Sequence, residues 1–215
     1  MPVAGKGLCK RFRQVAGSGE FVFHGAVFLA TSGRHEQGEA REDGIFGYGA
    51  NVMNAARDAF IEAMRQVAAT VTVVTTDGPA GQMGATVSAF TSLSADPPSV
   101  LVCLKSDSRI ARAVGDNGAF CVNVLPEDAD DLARAFAGAF DAQRPDRFHG
   151  LDVMATEFGP VLPRATAFTC TLQRSVGHGT HAICIGAVTG ISNAGQAPLT
   201  YMQGDFHVVR RKSGG

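Results

Sequence analysis

The sequence predicts a mainly β protein in which a closed β-barrel carries a few short helices on its outside. Apolar and β-branched runs of strand length recur between turn-forming residues, at the spacing of antiparallel hairpins. Helical patterns are brief and few, so strands do not alternate with long helices as they do in a doubly wound parallel sheet. At 215 residues, 45% of them hydrophobic, the chain is long enough for one sizeable domain with its own core.

The chain divides near residue 54 into two parts of different character. Residues 1–53 are rich in glycine and turn-forming residues and show no clear period after about residue 30. They predict a partly disordered N-terminal appendage, in which the apolar residues 21–30 dock on another surface. Residues 54–210 carry the regular patterns and predict the barrel domain.

The elements of the barrel domain follow from the periodicity of its residues. Asn54 can cap an amphipathic helix that extends to about Gln66, because apolar residues recur there every three or four positions. Two further short helices are expected, one within residues 106–118 that stops at a glycine and one within residues 127–140. The expected strands, of which the first two form a hairpin, are residues 71–76, 83–90, 99–104, 119–125, 167–176 and 181–191.

Composition and charge exclude several classes of protein. A net charge of −1 gives no general attraction to nucleic acid or to an anionic membrane, so neither is an expected partner. No apolar run reaches the roughly 18 residues of a transmembrane helix, and the N-terminus lacks the apolar segment of a signal peptide. The five cysteines form no Cys-x-x-Cys pair, and four lie in apolar strand-like runs, which predicts reduced, buried thiols in a cytoplasmic protein.

Residues 84–98, with the sequence GATVSAFTSLSADPP, place small and hydroxyl side chains between two apolar strands. Such a strand buries little apolar area, but it lets a flat ligand approach the backbone closely. Backbone N–H and C=O groups, with the hydroxyls of Thr86 and Ser88, then become hydrogen-bond partners of that ligand. A Ser/Thr-rich edge strand without a ligand is the alternative interpretation of these residues alone.

A second candidate site opens the helix expected after residue 105. Lys105, Ser108 and Arg109 place two cations and a hydroxyl at a helix N-terminus, where unpaired N–H groups and the helix dipole favour phosphate. Asp107 opposes an anion there unless it caps the helix itself. Ordinary helix capping is the alternative interpretation of this segment.

Several pieces of the sequence, in their order, resemble the flavin reductase domain family, the small NAD(P)H-dependent reductases of two-component monooxygenase systems. The first three pieces are A-x-x-V-T-V-V-T-T, G-x-T-x-S-A-F-T-S-L-S-x-x-P-P-x-V-L-V-C-L and F-C-V-N-V-L. Arg147-Phe148 and residues 167–170, 177–181 and 198–201 follow in the same order. The resemblance covers about residues 58–209 and implies an FMN-binding split β-barrel that forms a homodimer, with flavin near the subunit interface.

The resemblance assigns the two candidate sites to the two ends of one flavin. In that family the small-residue strand lies along the isoalloxazine and ribityl groups, and the segment at the helix N-terminus faces ribityl and phosphate. A histidine lies beside the nicotinamide of NADH or NADPH, and an aromatic residue stands near the end of the chain. The expected cofactor-binding residues are therefore Thr86, Val87, Ser88, Ala89, Leu104, Lys105, Ser108, Arg109, His181 and Phe206.

His181 differs from the family pattern in its neighbour. The family commonly has Gly-Asp-His, whereas this chain has Gly179-Thr180-His181, so the acidic neighbour is missing. A capping or surface histidine is the alternative interpretation of a lone histidine after glycines. His178 and His181 have no accompanying Cys, Asp or Glu cluster, so no metal site is expected.

The activity implied by the resemblance is hydride transfer from nicotinamide C4 to N5 of FMN or FAD, after which the reduced flavin passes to a separate monooxygenase. Because the cofactors carry the reactive chemistry, no catalytic nucleophile or base is expected in the chain. Two other functions stay open on the same barrel. One is non-catalytic flavin binding, and the other is a pyridoxamine-phosphate-oxidase-like activity, which calls for a denser Arg/Lys cluster.

Overall fold

The fold is that of a computed structural model, which describes residues 22–24, 27–29 and 47–212 of the chain, with side chains from residue 54 onward. The described helices are α1 (Gly47–Arg65), α2 (Arg109–Asn117) and α3 (Asp130–Phe136). The described strands are β1 (Val22–His24), β2 (Val27–Leu29), β3 (Ala69–Thr70), β4 (Thr72–Thr76), β5 (Met83–Val87), β6 (Phe90–Ala95), β7 (Pro98–Lys105), β8 (Ala119–Val124), β9 (Thr166–His178), β10 (His181–Ser192), β11 (Leu199–Met202) and β12 (Asp205–Val208). Within these ranges no helix has both the length and the apolar character needed to cross a membrane.

A seven-stranded antiparallel sheet in the order β5-β4-β8-β9-β10-β7-β6 forms the barrel. β5 and β6 follow each other in the chain yet lie at the two ends of this order, so the sheet curls until β5 approaches β7. A three-stranded sheet, β12-β11-β3, accompanies it. The predicted fold class, a mainly β split barrel with a few short flanking helices, is confirmed.

The core explains why these residues form strands. β4 is buried along its whole length, as its run of β-branched residues predicts. β7 alternates instead, with Val100, Val102 and Leu104 buried inside the barrel and the residues between them half-buried on its outer face. A second cluster around Leu125, Phe136, Leu162 and Leu199 packs the small sheet and α3 against the barrel.

Two expected boundaries need correction. α1 begins at Gly47 rather than at an Asn54 cap, so regular structure reaches into the residues assigned to the appendage. The single strand expected over residues 83–90 is two strands. The chain stops pairing with β4 before Ser88 and starts pairing with β7 at Phe90. Within the apolar residues 21–30, β1 and β2 pair antiparallel, while the expected disorder of residues 1–53 falls mostly outside the described residues.

The four described cysteines are free, and three of them, Cys121, Cys170 and Cys184, are buried as expected. Burial raises the pKa of the Cys121 and Cys170 thiols to about 12. Cys103 is only half-buried, because it lies on the outer face of β7. The fifth cysteine, Cys9, lies outside the described residues.

Candidate functional site

Two adjoining cavities, of about 300 and about 190 Å³, form one groove where β5 approaches β7 beside the N-terminus of α2. Both cavities are lined by Ala85, Ser108, Ile110 and Arg147, which therefore mark their junction. The groove lies where the resemblance placed the flavin, because the strand of small residues and the start of α2 are its two walls.

The smaller cavity contains five of the ten expected cofactor-binding residues. It is lined mainly by the ends of β5 and β7, with Phe136 and Ala137 closing it from α3. Most of this lining is apolar, which suits a flat aromatic ring more than a sugar or a phosphate. The expected residues that line it are Thr86, Val87, Leu104, Lys105 and Ser108.

The backbone of β5 offers hydrogen-bonding groups to this cavity because β5 is an edge strand of the sheet. Gly84 O points away from β4, since it accepts a hydrogen bond of 3.1 Å from Nη1 of Arg147. In an antiparallel strand the N–H and C=O of alternate residues point to the same side. The N–H and C=O of Thr86 therefore also point to the open edge.

The small side chains of β5 serve the protein's own packing as well. A Cβ at Gly84 would lie 2.4 Å from Cε1 of Phe136 and 3.0 Å from Cζ of Phe148, so the glycine makes room for two aromatic rings. The hydroxyl of Thr86 donates to Ala133 O at 2.7 Å, which ties β5 to α3. The hydroxyl hydrogen expected to face a ligand is thus used inside the protein, and the backbone of Thr86 is what faces the edge.

Ser88 and Ala89 follow the end of β5 and are half-buried, but they do not line either cavity. Ala89 O accepts a 3.0 Å hydrogen bond from Cys103 N, which fixes this short connection against β7. Of the four small residues expected along the flavin, the structure thus brings Thr86 and Val87 to the groove and leaves Ser88 and Ala89 beyond its end.

The start of α2 is a capped helix that lies at the junction of the two cavities, with cationic side chains beside it. Ser108 is the cap, since its Oγ accepts from Ala111 N at 3.2 Å and donates to Lys105 O at 2.6 Å. Asp107 does not cap the helix but pairs with Lys105 at 3.1 Å between Nζ and Oδ2. Arg109 is exposed and lines the larger cavity, and in the described part of the chain it has no ion-pair partner.

Arg147 lines both cavities but is not among the site residues expected from the sequence, although Arg147-Phe148 is one of the pieces carrying the resemblance. Its Nη1 donates to Gly84 O and, at 2.7 Å, to Phe136 O, while Nε and Nη2 reach the carboxylate of Asp141 at 2.8 and 2.6 Å. These hydrogen bonds, and the charges of Arg147 and Arg109, hold the pKa of Asp141 below its usual value. Arg147 thus fixes the segment after α3 over the edge of β5.

His181 lies beside the groove rather than in its lining. It is the first residue of β10 and the cross-strand partner of Lys105, which does line the smaller cavity. Thr180 Oγ1 lies 2.8 Å from its Nδ1, whereas its Nε2 is buried and has no hydrogen-bond partner among the described residues. Burial, then the nearby charge of Lys105, lowers the pKa of His181, which favours the neutral imidazole at pH 7.

Phe206 is not brought to the groove within one chain. It lies on β12, where its ring packs edge-on against Tyr201 with centroids 5.5 Å apart. The guanidinium of Arg134 lies 5.1 Å from the centroid of the same ring.

Among the described residues there is no group of three His, Cys, Asp or Glu side chains placed to hold a metal ion.

Comparisons with known proteins place most of the chain in one family. The Flavin reductase like domain family matches residues 64–210 of the chain. The FMN reductase (NADH) RutF of Ancylobacter novellus is 36% identical over 156 residues, which cover 71% of this chain and 85% of that protein.

Two solved structures share the fold. The NADH:FAD oxidoreductase SgcE6 of Streptomyces globisporus, in complex with NAD and FAD fragments, is 26% identical with a TM-score of 0.65, over 74% of this chain and 94% of that one. BorF, the flavin reductase component of a bacterial two-component tryptophan halogenase, is 29% identical with a TM-score of 0.63, over 74% and 99%. The names of these relatives agree with the expected oxidoreductase class and its flavin and nicotinamide cofactors. The family match spans most of the chain and the groove lies within it, so the protein is a member of the flavin reductase like domain family.

Proposed function

We propose that the protein transfers a hydride from NADH to a flavin mononucleotide or dinucleotide and releases the reduced flavin to a separate enzyme. The observation that carries this proposal is the groove, because its two ends differ in chemistry. One end is an apolar slot against the open edge of β5, and the other, beyond the N-terminus of α2 at the junction, is lined by Arg109, which has no ion-pair partner in the described part of the chain. A flavin nucleotide has the same two ends, a flat ring system and a phosphate.

Each part of the groove has a distinct task in this reaction. The isoalloxazine and nicotinamide rings supply the hydride chemistry when bound, so the protein must bind, orient and exclude water. The backbone N–H of Thr86 on the open edge donates toward the ring edge where negative charge develops. The first N–H groups of α2 and the guanidinium of Arg109 hold the phosphate. The apolar lining from Val87 and Leu104 keeps water from the reacting rings.

The test is NADH oxidation with FMN, FAD or riboflavin as acceptor, each compared with a reaction without flavin. We expect FMN and FAD to support turnover and riboflavin to need about 10-fold higher concentration, because it lacks the phosphate that meets Arg109. Flavin binding without NADH oxidation would instead support the non-catalytic alternative. Oxidation of pyridoxamine phosphate in place of NADH would support the other alternative, although only Arg109 of the three groove cations is free of a carboxylate partner.

The receiving enzyme belongs to the proposal as well. BorF serves a two-component halogenase, so the partner class extends from monooxygenases to other enzymes that consume reduced flavin. The protein with NADH and flavin is placed on one side of a membrane that passes flavin but not protein, and such an enzyme on the other side. The enzyme's reaction is expected to proceed. Failure of transfer across that membrane would show that the proteins must touch.

We further propose a homodimer in which the outer face of β7 and β10 is the interface. Leu101 and Cys103 lie on that face, opposite Ile185 and Ile183. Val176 of β9 continues the patch and is 42% exposed. Because Cys103 also lines the smaller cavity, a second copy seated there would border the flavin.

Cytoplasmic location stays a prediction, supported by the free thiols and testable by cell fractionation.

A chain that begins at Gly47 is expected to keep both its dimeric mass and its NADH-dependent flavin reduction. The family match begins at residue 64, and every groove residue lies beyond it. Residues 1–46 are therefore proposed to be an appendage. Sedimentation velocity and the reductase assay measure the two properties on the full and shortened chains. A monomeric but folded product would place the missing segment in the interface, and a dimeric but inactive one would place it at the site.

A further inference from the structure

The turn between β9 and β10 holds Thr180 in place by two contacts. Gly179 takes a positive φ of 56°, which lets the chain reverse before Thr180. Thr180 O accepts a 3.0 Å hydrogen bond from Ser106 N, which ties the turn to the segment that follows β7. Its side-chain Oγ1 lies 2.8 Å from Nδ1 of His181. Both the backbone and the hydroxyl of Thr180 are thus fixed next to the imidazole.

Among the described residues, the other nitrogen of the ring has no hydrogen-bond partner. His181 Nε2 is buried, and leaving a buried polar atom without a hydrogen bond is unfavourable. A ligand amide that reaches Nε2 would supply the missing hydrogen bond. With Nδ1 held by Thr180, Nε2 is the nitrogen that such a ligand can use.

The charges that face His181 come from three elements. Lys105 of β7 is its cross-strand partner and disfavours the imidazolium, and Asp107, in the turn after β7, favours it less strongly. His178 of β9 is its partner on the other side. A carboxylate in place of Thr180 would add a negative charge in contact with Nδ1 and would favour the imidazolium. The hydroxyl of Thr180 makes the same contact without that charge.

We propose that Thr180 is a positioning residue that orients the His181 ring through Nδ1, so that Nε2 binds the carboxamide of the nicotinamide. This inference rests on the proposed function, and it adds a residue to the nicotinamide side of the site. The threonine hydroxyl contacts Nδ1 of His181, as we expect of an acidic neighbour, but it adds no negative charge. The nicotinamide site is therefore expected to work unchanged through neutral pH.

Three variants of Thr180 test the proposal by different physical properties. Thr180→Val keeps the shape but removes the hydroxyl, and is expected to raise KM for NADH about 5- to 10-fold, the value of one hydrogen bond, with kcat within about two-fold. Thr180→Ser is expected to restore the wild-type KM. Thr180→Asp is expected to raise the pKa of His181 and to make KM for NADH depend on pH near that pKa. Flavin affinity is expected to stay unchanged in all three.

The pKa of His181 is measured separately by NMR titration of the ring in the full chain, without NADH. A wild-type KM in Thr180→Val, or a titration of His181 that Thr180→Asp leaves unmoved, would overturn the positioning role. His181→Ala separates this failure from that of the proposed nicotinamide site. The Thr180 variants could shift the titration of the His181 ring while His181→Ala leaves KM for NADH unchanged. The contact between Thr180 and His181 would then exist, but His181 would not bind the nicotinamide, and the proposal would be wrong.

Discussion

Arg109→Glu is expected to weaken flavin mononucleotide binding roughly 10- to 100-fold, which corresponds to the about 1.5–3 kcal/mol of a hydrogen bond to a charged group. Arg109 lines the larger cavity at the N-terminus of α2. Its charge acts on Asp141 in the same lining, but it has no ion-pair partner in the described part of the chain, so the guanidinium can pair with a phosphate. Quenching of flavin fluorescence gives the dissociation constant. The loss is expected to shrink at high salt, because the side chain is exposed and its charge is screened.

Arg112→Glu is the matched control for Arg109→Glu. It makes the same change of charge one turn further along α2, at an exposed residue that lines neither cavity. Flavin affinity is expected to change less than about two-fold, the small effect of an exposed charge away from the ligand. Riboflavin adds a second control, because its affinity is expected to be the same in wild type and Arg109→Glu. Equal losses in both arginine variants would show a general charge effect and remove Arg109 from the phosphate site.

Gly84→Ala is expected to lower the free energy of unfolding by about 1–3 kcal/mol, the usual cost of forcing extra volume into a packed interior. The added Cβ would lie 2.4 Å from Cε1 of Phe136, whose ring is fully buried and packs edge-on against Phe148 with centroids 5.0 Å apart. Neither ring can move without disturbing the second core cluster. Urea unfolding followed by circular dichroism measures the change, with the midpoint as the primary value.

The matched control is Gly115→Ala in α2, where the added Cβ has no atom within 4 Å. There the same substitution is expected to stabilise the protein by about 0.5–1 kcal/mol, because alanine loses less backbone freedom than glycine in a helix. Phe136 also lines the smaller cavity, so Gly84→Ala is expected to weaken flavin binding as well. An unchanged unfolding midpoint in Gly84→Ala would mean that the strand of small residues is not needed to seat Phe136.

Of the two interpretations of residues 84–98, the edge strand is confirmed for β5, and the close approach to a ligand stays a prediction. β5 is an edge strand, and its open edge forms a wall of the groove. Residue 84 must be glycine because a Cβ there would clash with the ring of Phe136, which lies 52 positions later in the chain (136 − 84). No local sequence pattern predicts this contact between residues 84 and 136, because the contact depends on how α3 packs over the sheet.

By itself the sequence determined β4, β7, β8, β9 and β10, the glycine stop of α2 and the family. The strands and the stop follow from β-branched runs and turn residues, whose effects act over a few positions, and the family follows from the resemblance of several motifs in their order. The tertiary structure alone decided that β5 and β6 are separate strands and that Arg147 bridges β5, α3 and Asp141. The physical reason is range. Hydrogen bonds and ring contacts between residues far apart in the chain depend on how the sheet curls, and periodicity carries no information about that closure.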